Sequence, residues 1–278
     1  MIGYSATAST DEQVIFMHHG SGANGKSVFQ RIINALLGGY AQVVPMETLM
    51  ATQVEGQVPN DVARMAGKRL LAASETKMGK TLDEAKIKLL TGGEVISARF
   101  MRGEFFEFRP VGKIHLSTNH RPRMSDDPAT WRRLRLITWP VVIPPEERDP
   151  ELGDRILKNE SEGVLAWIIE GARMWMVEGL NPPQTLLDAT DEYQHDEDSV
   201  MQFLEECVDT GLEYSTKRVG SSTKDFWVHY NNWAGDWGHP KMSQKALTAR
   251  LKKKLGYYRG NSQAVYTDAV IKGVTQSS

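Results

Sequence analysis

The chain has 278 residues, 40% of them hydrophobic and 24% charged, which allows a sizeable core and about two domains. No run approaches the roughly 20 apolar residues of a membrane helix, and residues 1–13 lack the basic start and apolar centre of a signal peptide, so a cytoplasmic protein without a membrane partner is expected. The formal charge of −2 hides an asymmetry: residues 216–278 hold eleven basic and three acidic residues, an excess of +8, which leaves the first 215 at −10 and predicts an acidic body with a basic tail domain.

Residues 14–19 read as a short apolar strand, followed by Gly20-Ser21-Gly22-Ala23-Asn24-Gly25-Lys26-Ser27, a turn of the form GxxxxGKS. Glycines let such a turn curl so that successive N–H groups face a phosphate, and the next helix adds its positive end. Lys26 would reach the β- and γ-phosphates of ATP, and Ser27 would offer its hydroxyl to Mg²⁺. Val28, Phe29, Ile32, Ile33, Leu36 and Leu37 follow at helical spacing until Gly38-Gly39 stops them. The pair His18-His19 has no cysteine nearby and is not read as a zinc site.

Residues 41–45 suggest a short strand and 46–60 a loop. Residues 68–75 form a compact apolar strand ending in Glu75, where a phosphate-loop ATPase keeps the acid that handles Mg²⁺ and the attacking water. Thr81 to Glu84 reads as a capping box for a helix that carries Lys86 and Lys88. Residues 95–108 predict two strands turning near Arg102-Gly103-Glu104, a basic finger whose base Phe105, Phe106 and Phe108 can pack. Residues 113–119 form the next strand, ending in Asn119, and Trp131-Arg132-Arg133-Leu134 leads into another over 134–139. Taken singly, these arginines would be surface ion-pair partners.

GSGANGKS, the strand ending in Ser74-Glu75, IKLLTGGEVISAR (87–99), HLSTN (115–119) and WRRL (131–134) together resemble the superfamily 3 helicases, more narrowly the phage and plasmid primase-helicases, a group related to the poxvirus primase-helicase. The resemblance covers nearly the whole chain and implies an α/β fold: an AAA+ type phosphate-loop ATPase core with a parallel sheet, acting as a homohexamer around DNA in the cytoplasm of a bacterial host. In it Lys26 and Ser27 match the phosphate and Mg²⁺ residues, Glu75 the acidic residue of the second motif, and Asn119 the polar sensor of the γ-phosphate. Arg133 matches the arginine finger better than Arg132. The hairpin from Arg99 to Glu104 matches the element that grips single-stranded DNA in the channel, with Lys88, Arg99 and Arg102 as contacts. Two positions depart from the pattern: Glu94 replaces an aspartate, and Ser74 stands where other members have a second acid. Family members usually carry priming and connecting domains ahead of this point, which implies a helicase half encoded separately or truncated and leaves room for a separate primase subunit.

Beyond residue 150 the pattern turns helical. Val164, Leu165, Ile168, Ile169, Ala172, Trp175 and Met176 form a wide apolar stripe, Ser199 to Gln202 reads as a capping box, the acidic run 188–198 as a solvated linker face, and Cys207 as a buried small hydrophobe. In the tail, Phe226, Trp227, Tyr230 and Trp233 suggest an aromatic-packed helix, and 243–255 a second with Lys245, Arg250, Lys252 and Lys253 outside. Residues 257–272 suggest a hairpin wing turning at 260–261. The expected domains are an ATPase core (1–149), a helical lid and linker (150–215) and a winged helix that binds duplex DNA (216–278). The function so read is an ATP-dependent DNA helicase. The alternatives are an ATP-switched DNA-binding factor without unwinding activity and a phosphate-loop kinase.

Overall fold

Strands with helices on both faces must be largely apolar, and the apolar run before the glycine-rich turn accordingly forms an inner strand of a parallel sheet. The computed structural model describes residues 1–51, 60–74, 79–210, 221–259, 264–266 and 269–272, which cluster into two units, Met1–Glu192 and Tyr193–Ser278. The first carries α1 (Ile2–Ala6), β1 (Ile15–His19), α2 (Lys26–Leu37), β2 (Ala41–Val43), α3 (Asn60–Ala63), β3 (Leu70–Ser74), α4 (Glu84–Thr91), β4 (Ile96–Arg99), β5 (Phe105–Phe108), β6 (Lys113–Thr118), α5 (Pro128–Trp131), β7 (Leu134–Thr138), α6 (Leu152–Asn159), α7 (Ser161–Glu178) and most of α8 (Gln184–Glu197). Its sheet has the order β2-β3-β6-β1-β7, every pair parallel. All five carboxyl ends therefore face one side, and the register brings His19 level with Thr118 and Thr138, and Ser74 level with Ser117.

Strands β4 and β5 form the expected hairpin, with Arg99 opposite Phe105. Arg102 takes a positive φ of 62° at its tip. Several helix signals resolve differently from expectation. Asp83 rather than Thr81 caps α4, accepting from Lys86 N, while Glu84 binds the Ser125 amide and hydroxyl. Asp198 caps α9 in place of Ser199. The acidic stretch 188–198 is mostly helix α8 and not a linker. Of the apolar stripe on α7 only Ile168 is buried, and Leu165, Ile169 and Met176 are exposed.

Helix α1 went unread because five residues are too short for a periodicity. It crosses α7 at two glycines: a Cβ on Gly3 would stand 2.0 Å from Ala172 N and 2.1 Å from the Gly171 carbonyl carbon. No side chain fits there without separating the backbones. Gly3→Ala should therefore cost at least about 1–3 kcal/mol, and a thermal melt that matched the wild type would show that α1 does not pack on α7 this closely.

The second unit contains α9 (Ser199–Cys207), β8 (Val208–Thr210), α10 (Thr223–Asp236), α11 (Gln244–Leu251), β9 (Tyr257–Arg259), β10 (Ala264–Tyr266) and β11 (Ala269–Ile271). β9 pairs with β10 and β8 with β11, both antiparallel. Phe203, Phe226, Tyr230, Trp233, Leu247, Leu251 and Tyr266 fill its core. Cys207 is half-buried at the edge of that core, and burial raises its pKa. The turn expected at 260–261 lies outside the described residues. The boundary after residue 192 divides the stretch expected as lid and linker between the two units.

Candidate functional site

The glycine-rich turn leaves the carboxyl end of β1 and re-enters the fold as α2, whose N-cap is Gly25 in the left-handed region. Gly22, Ala23 and Gly25 all have positive φ, 102°, 48° and 87°, so the backbone winds around a small concavity. Lys26 is the first residue of α2 and is buried to 6% exposure. Its ammonium lies inside the turn and donates to Gly20 O at 2.8 Å and Asn24 Oδ1 at 2.9 Å. Among the described residues both partners are neutral oxygens, and burial lowers its pKa. A cation held this way suits an anion.

The turn opens on a cleft of about 840 Å³ lined by residues 22–28 together with Gln30, Arg31, Asn34, Ser74, Ser117 and Asn119. Asn119 follows β6 and is exposed. Its Nδ2 lies 3.8 Å from the point where a Cβ on Gly22 would stand. Gly20, Gly22, Ala23, Asn24, Gly25, Lys26, Ser27 and Asn119 are brought together at this turn and its cleft. Glu75, the expected acid, lies outside the described residues.

The two arginines after α5 part company. Arg133 is 7% exposed, and its guanidinium donates to Thr91 Oγ1 (3.1 Å), Ala129 O (2.5 Å) and Gln13 Oε1 (3.3 Å). Arg132 is exposed and donates to Gln13 Oε1 at 3.0 Å. The first tethers three segments of its own unit, and the second faces outward.

Beneath the turn runs a buried polar chain that the sequence did not announce. Trp139 Nε1 can only donate, and it does so to His18 Nδ1 (3.2 Å). His18 must then carry its proton on Nε2, which meets His115 Nδ1 at 3.1 Å. His115 in turn donates from Nε2 to Ser5 Oγ (2.9 Å), and Ser5 donates to Met1 O (3.3 Å). Both rings are neutral at pH 7: burial, then the nearby Lys26 charge, lowers His18 to about 4, and burial, then His18, puts His115 well below its ordinary value. The chain fixes one tautomer of each histidine and ties α1 and β6 to the segment after β7.

At the hairpin, Arg99, Met101, Arg102 and Phe105 are all exposed, Met101 to 78%, and the Arg99 guanidinium lies 4.9 Å from the Phe105 ring centre. Lys88, in the last turn of α4, pairs with Asp127. The Asp127 carboxylate also takes the Ala129 amide and the Thr130 hydroxyl, and Lys88 is the largest cause of its lowering to about 2. In the second unit Lys245, Lys252 and Lys253 are exposed and Arg250 is half-buried. Lys252 sits over the Tyr257 ring at 3.8 Å, and the neighbouring Lys254 pairs with Asp198. Among the described residues no group of acids, histidines and cysteines could hold a metal, and no helix is long and apolar enough to cross a membrane.

Residues 18–133 match the model of a family described as "Family of unknown function (DUF5906)". The chain is similar to "Putative helicase 022R" of Frog virus 3 (isolate Goorha), 27% identical over 269 residues, a match covering 87% of this chain and 27% of that protein. It is also similar to "Putative helicase L207/L206" of Acanthamoeba polyphaga mimivirus, 25% identical over 248 residues, covering 82% of this chain and 25% of the relative. "Putative helicase 121R" of Invertebrate iridescent virus 3 is 24% identical over 292 residues, with 94% of this chain and 30% of that protein covered. The chain spans under a third of the length of these relatives. Among solved structures, the A form apo structure of the NrS-1 C-terminal region aligns with 96% of this chain and 70% of its own at 11% identity and a TM-score of 0.48.

Proposed function

We propose that this chain is the ATPase and DNA-translocating part of a superfamily 3 type replicative helicase from a phage or plasmid. The observation that carries the reading is the Lys26 ammonium, buried inside a left-handed turn at the carboxyl end of an inner parallel strand, in a cleft that Asn119 also lines. The names of the viral relatives support the same activity. Bound MgATP would supply the phosphoryl group and the metal charge that this chemistry needs. Backbone amides of residues 22–26 would cradle the phosphates, Lys26 would neutralise the γ-oxygens, Ser27 and Glu75 would serve the metal, and Asn119 would sense the γ-phosphate. We assign the arginine finger to Arg132, because a guanidinium must leave its own surface to enter a neighbour's site, and of this adjacent pair Arg132 is exposed and Arg133 buried.

In this reading the core is of AAA+ type, and six copies surround one DNA strand, with Arg99 and Arg102 on the hairpins gripping its backbone. Lys88 is occupied by Asp127, so its contribution to DNA binding would be indirect. The order helix, strand, helix, helix, paired strands in the second unit supports a winged helix whose Lys245, Arg250, Lys252 and Lys253 meet duplex phosphates. ATP turnover stimulated by single-stranded DNA, together with strand separation, tests the function. ATP binding without turnover would leave a switched DNA-binding factor in its place.

The basic face makes a separate expectation. Replacing Lys245, Lys252 and Lys253 together by alanine should weaken duplex binding uniformly across sequences. It should also flatten the slope of log K against log salt by about 0.9 per lost phosphate contact. An unchanged slope would remove these lysines from the interface.

A further inference from the structure

Asn24 makes a side-chain tie between the phosphate loop and the segment that follows β7. Its Nδ2 donates to Trp139 O at 3.1 Å, while its Oδ1 accepts from Lys26 Nζ at 2.9 Å. One amide thus spans from a fixed carbonyl to the lysine. The carbonyl is fixed because Trp139 is held on three sides: its N–H donates to His19 O at 2.7 Å, its indole N–H to His18, and its ring packs against Phe29 with centroids 5.6 Å apart. Four residues on, Ile143 N donates to Ala23 O at 2.7 Å. Gly20 leaves room for the tie, since a Cβ there would stand 2.4 Å from Trp139 O and 2.5 Å from Asn24 Nδ2.

We propose that Asn24 is the positioning residue of the phosphate loop, clamping the turn to Trp139 and holding the Lys26 ammonium in place before a nucleotide arrives. This rests on the reading of residues 20–27 as the ATP site. A turn with three positive-φ residues in four has many other conformations, and restricting them in advance removes an ordering cost from binding. The clamp shapes the cradle for the β-phosphate as well as the γ-phosphate, so ATP and ADP depend on it together. Lys26 acts more on ATP.

Equilibrium titration of the full chain with fluorescent ATP and ADP analogues and Mg²⁺, reading both Kd and stoichiometry, tests this. Asn24→Ala removes both bonds and should weaken the two nucleotides alike, by about 5–30-fold at one site per chain. The isosteric Asn24→Asp keeps the acceptor for Lys26 but sets an oxygen against Trp139 O and adds negative charge. It should bind both more weakly still, and ATP more so than ADP. If wild type binds, Lys26→Ala weakens ATP, and both Asn24 variants keep the wild-type Kd, the positioning role is overturned while the ATP site stands. A fall in stoichiometry at unchanged Kd would mean lost fold and also overturns it. No binding by the wild type would overturn both readings.

Discussion

Lys26→Ala is expected to abolish ATP hydrolysis, lowering turnover by at least about 10²–10³-fold, the cost of removing one preorganised partner of the developing charge. The fold should not suffer. The ammonium meets two neutral oxygens in a buried turn, and burial lowers its pKa. A lysine whose pKa is lowered on folding is charged less readily in the folded chain, so at neutral pH it subtracts from stability. The nucleotide-free variant should therefore melt at or above the wild-type temperature, and its second unit should bind DNA as before. Turnover near the wild-type level would sink the assignment of the site. A large drop in melting temperature would mean that Lys26 is a structural residue instead.

How much of this was legible in the sequence depended on how local the cause was. The strand, turn and helix around Lys26 were readable because glycine spacing and apolar periodicity act within some twenty residues. The β4–β5 hairpin was readable for the same reason, its turn set by Arg102 and Gly103. What could not be read depends on partners far along the chain. The two arginines are adjacent, chemically identical and both bonded to Gln13, and the positions of Thr91 and Ala129 separate a buried tether from an exposed group. The His18–His115 chain joins residues 97 apart through neighbouring strands, so His18 looked like half of a dipeptide. On α7 the apolar stripe is real, but only its Ile168 side is covered within the unit. Periodicity tells that a face is apolar and not what covers it. The differences in capping are smaller: Asp83 stands two residues after Thr81 and Asp198 one residue before Ser199, and short polar side chains compete for the same amides.

The arginine pair yields the second large effect, since the two substitutions should fail in opposite ways. Arg133→Ala removes a buried guanidinium that satisfies three acceptors on separate segments. Losing charged hydrogen bonds of this kind costs about 2–4 kcal/mol, which for a unit of this size lowers the melting temperature on the order of 5–15 °C. Arg132→Ala gives up one exposed bond to Gln13 and should change stability by no more than about 0.5 kcal/mol. If Arg132 is the finger, its variant should still bind ATP while turnover falls by about 10³–10⁵-fold. Mixing then separates action between subunits from action within one. A Lys26→Ala subunit has a dead site but an intact Arg132, so placed beside an Arg132→Ala subunit it completes that neighbour's site, and activity should return as mixed assemblies form. The proof of mixing must be physical, for example co-purification of differently tagged variants. In such assemblies, persistent inactivity would show that Arg132 does not act across an interface. A turnover loss confined to Arg133→Ala, with its melting temperature unchanged, would return the finger to Arg133 and contradict the tethering bonds assigned to it.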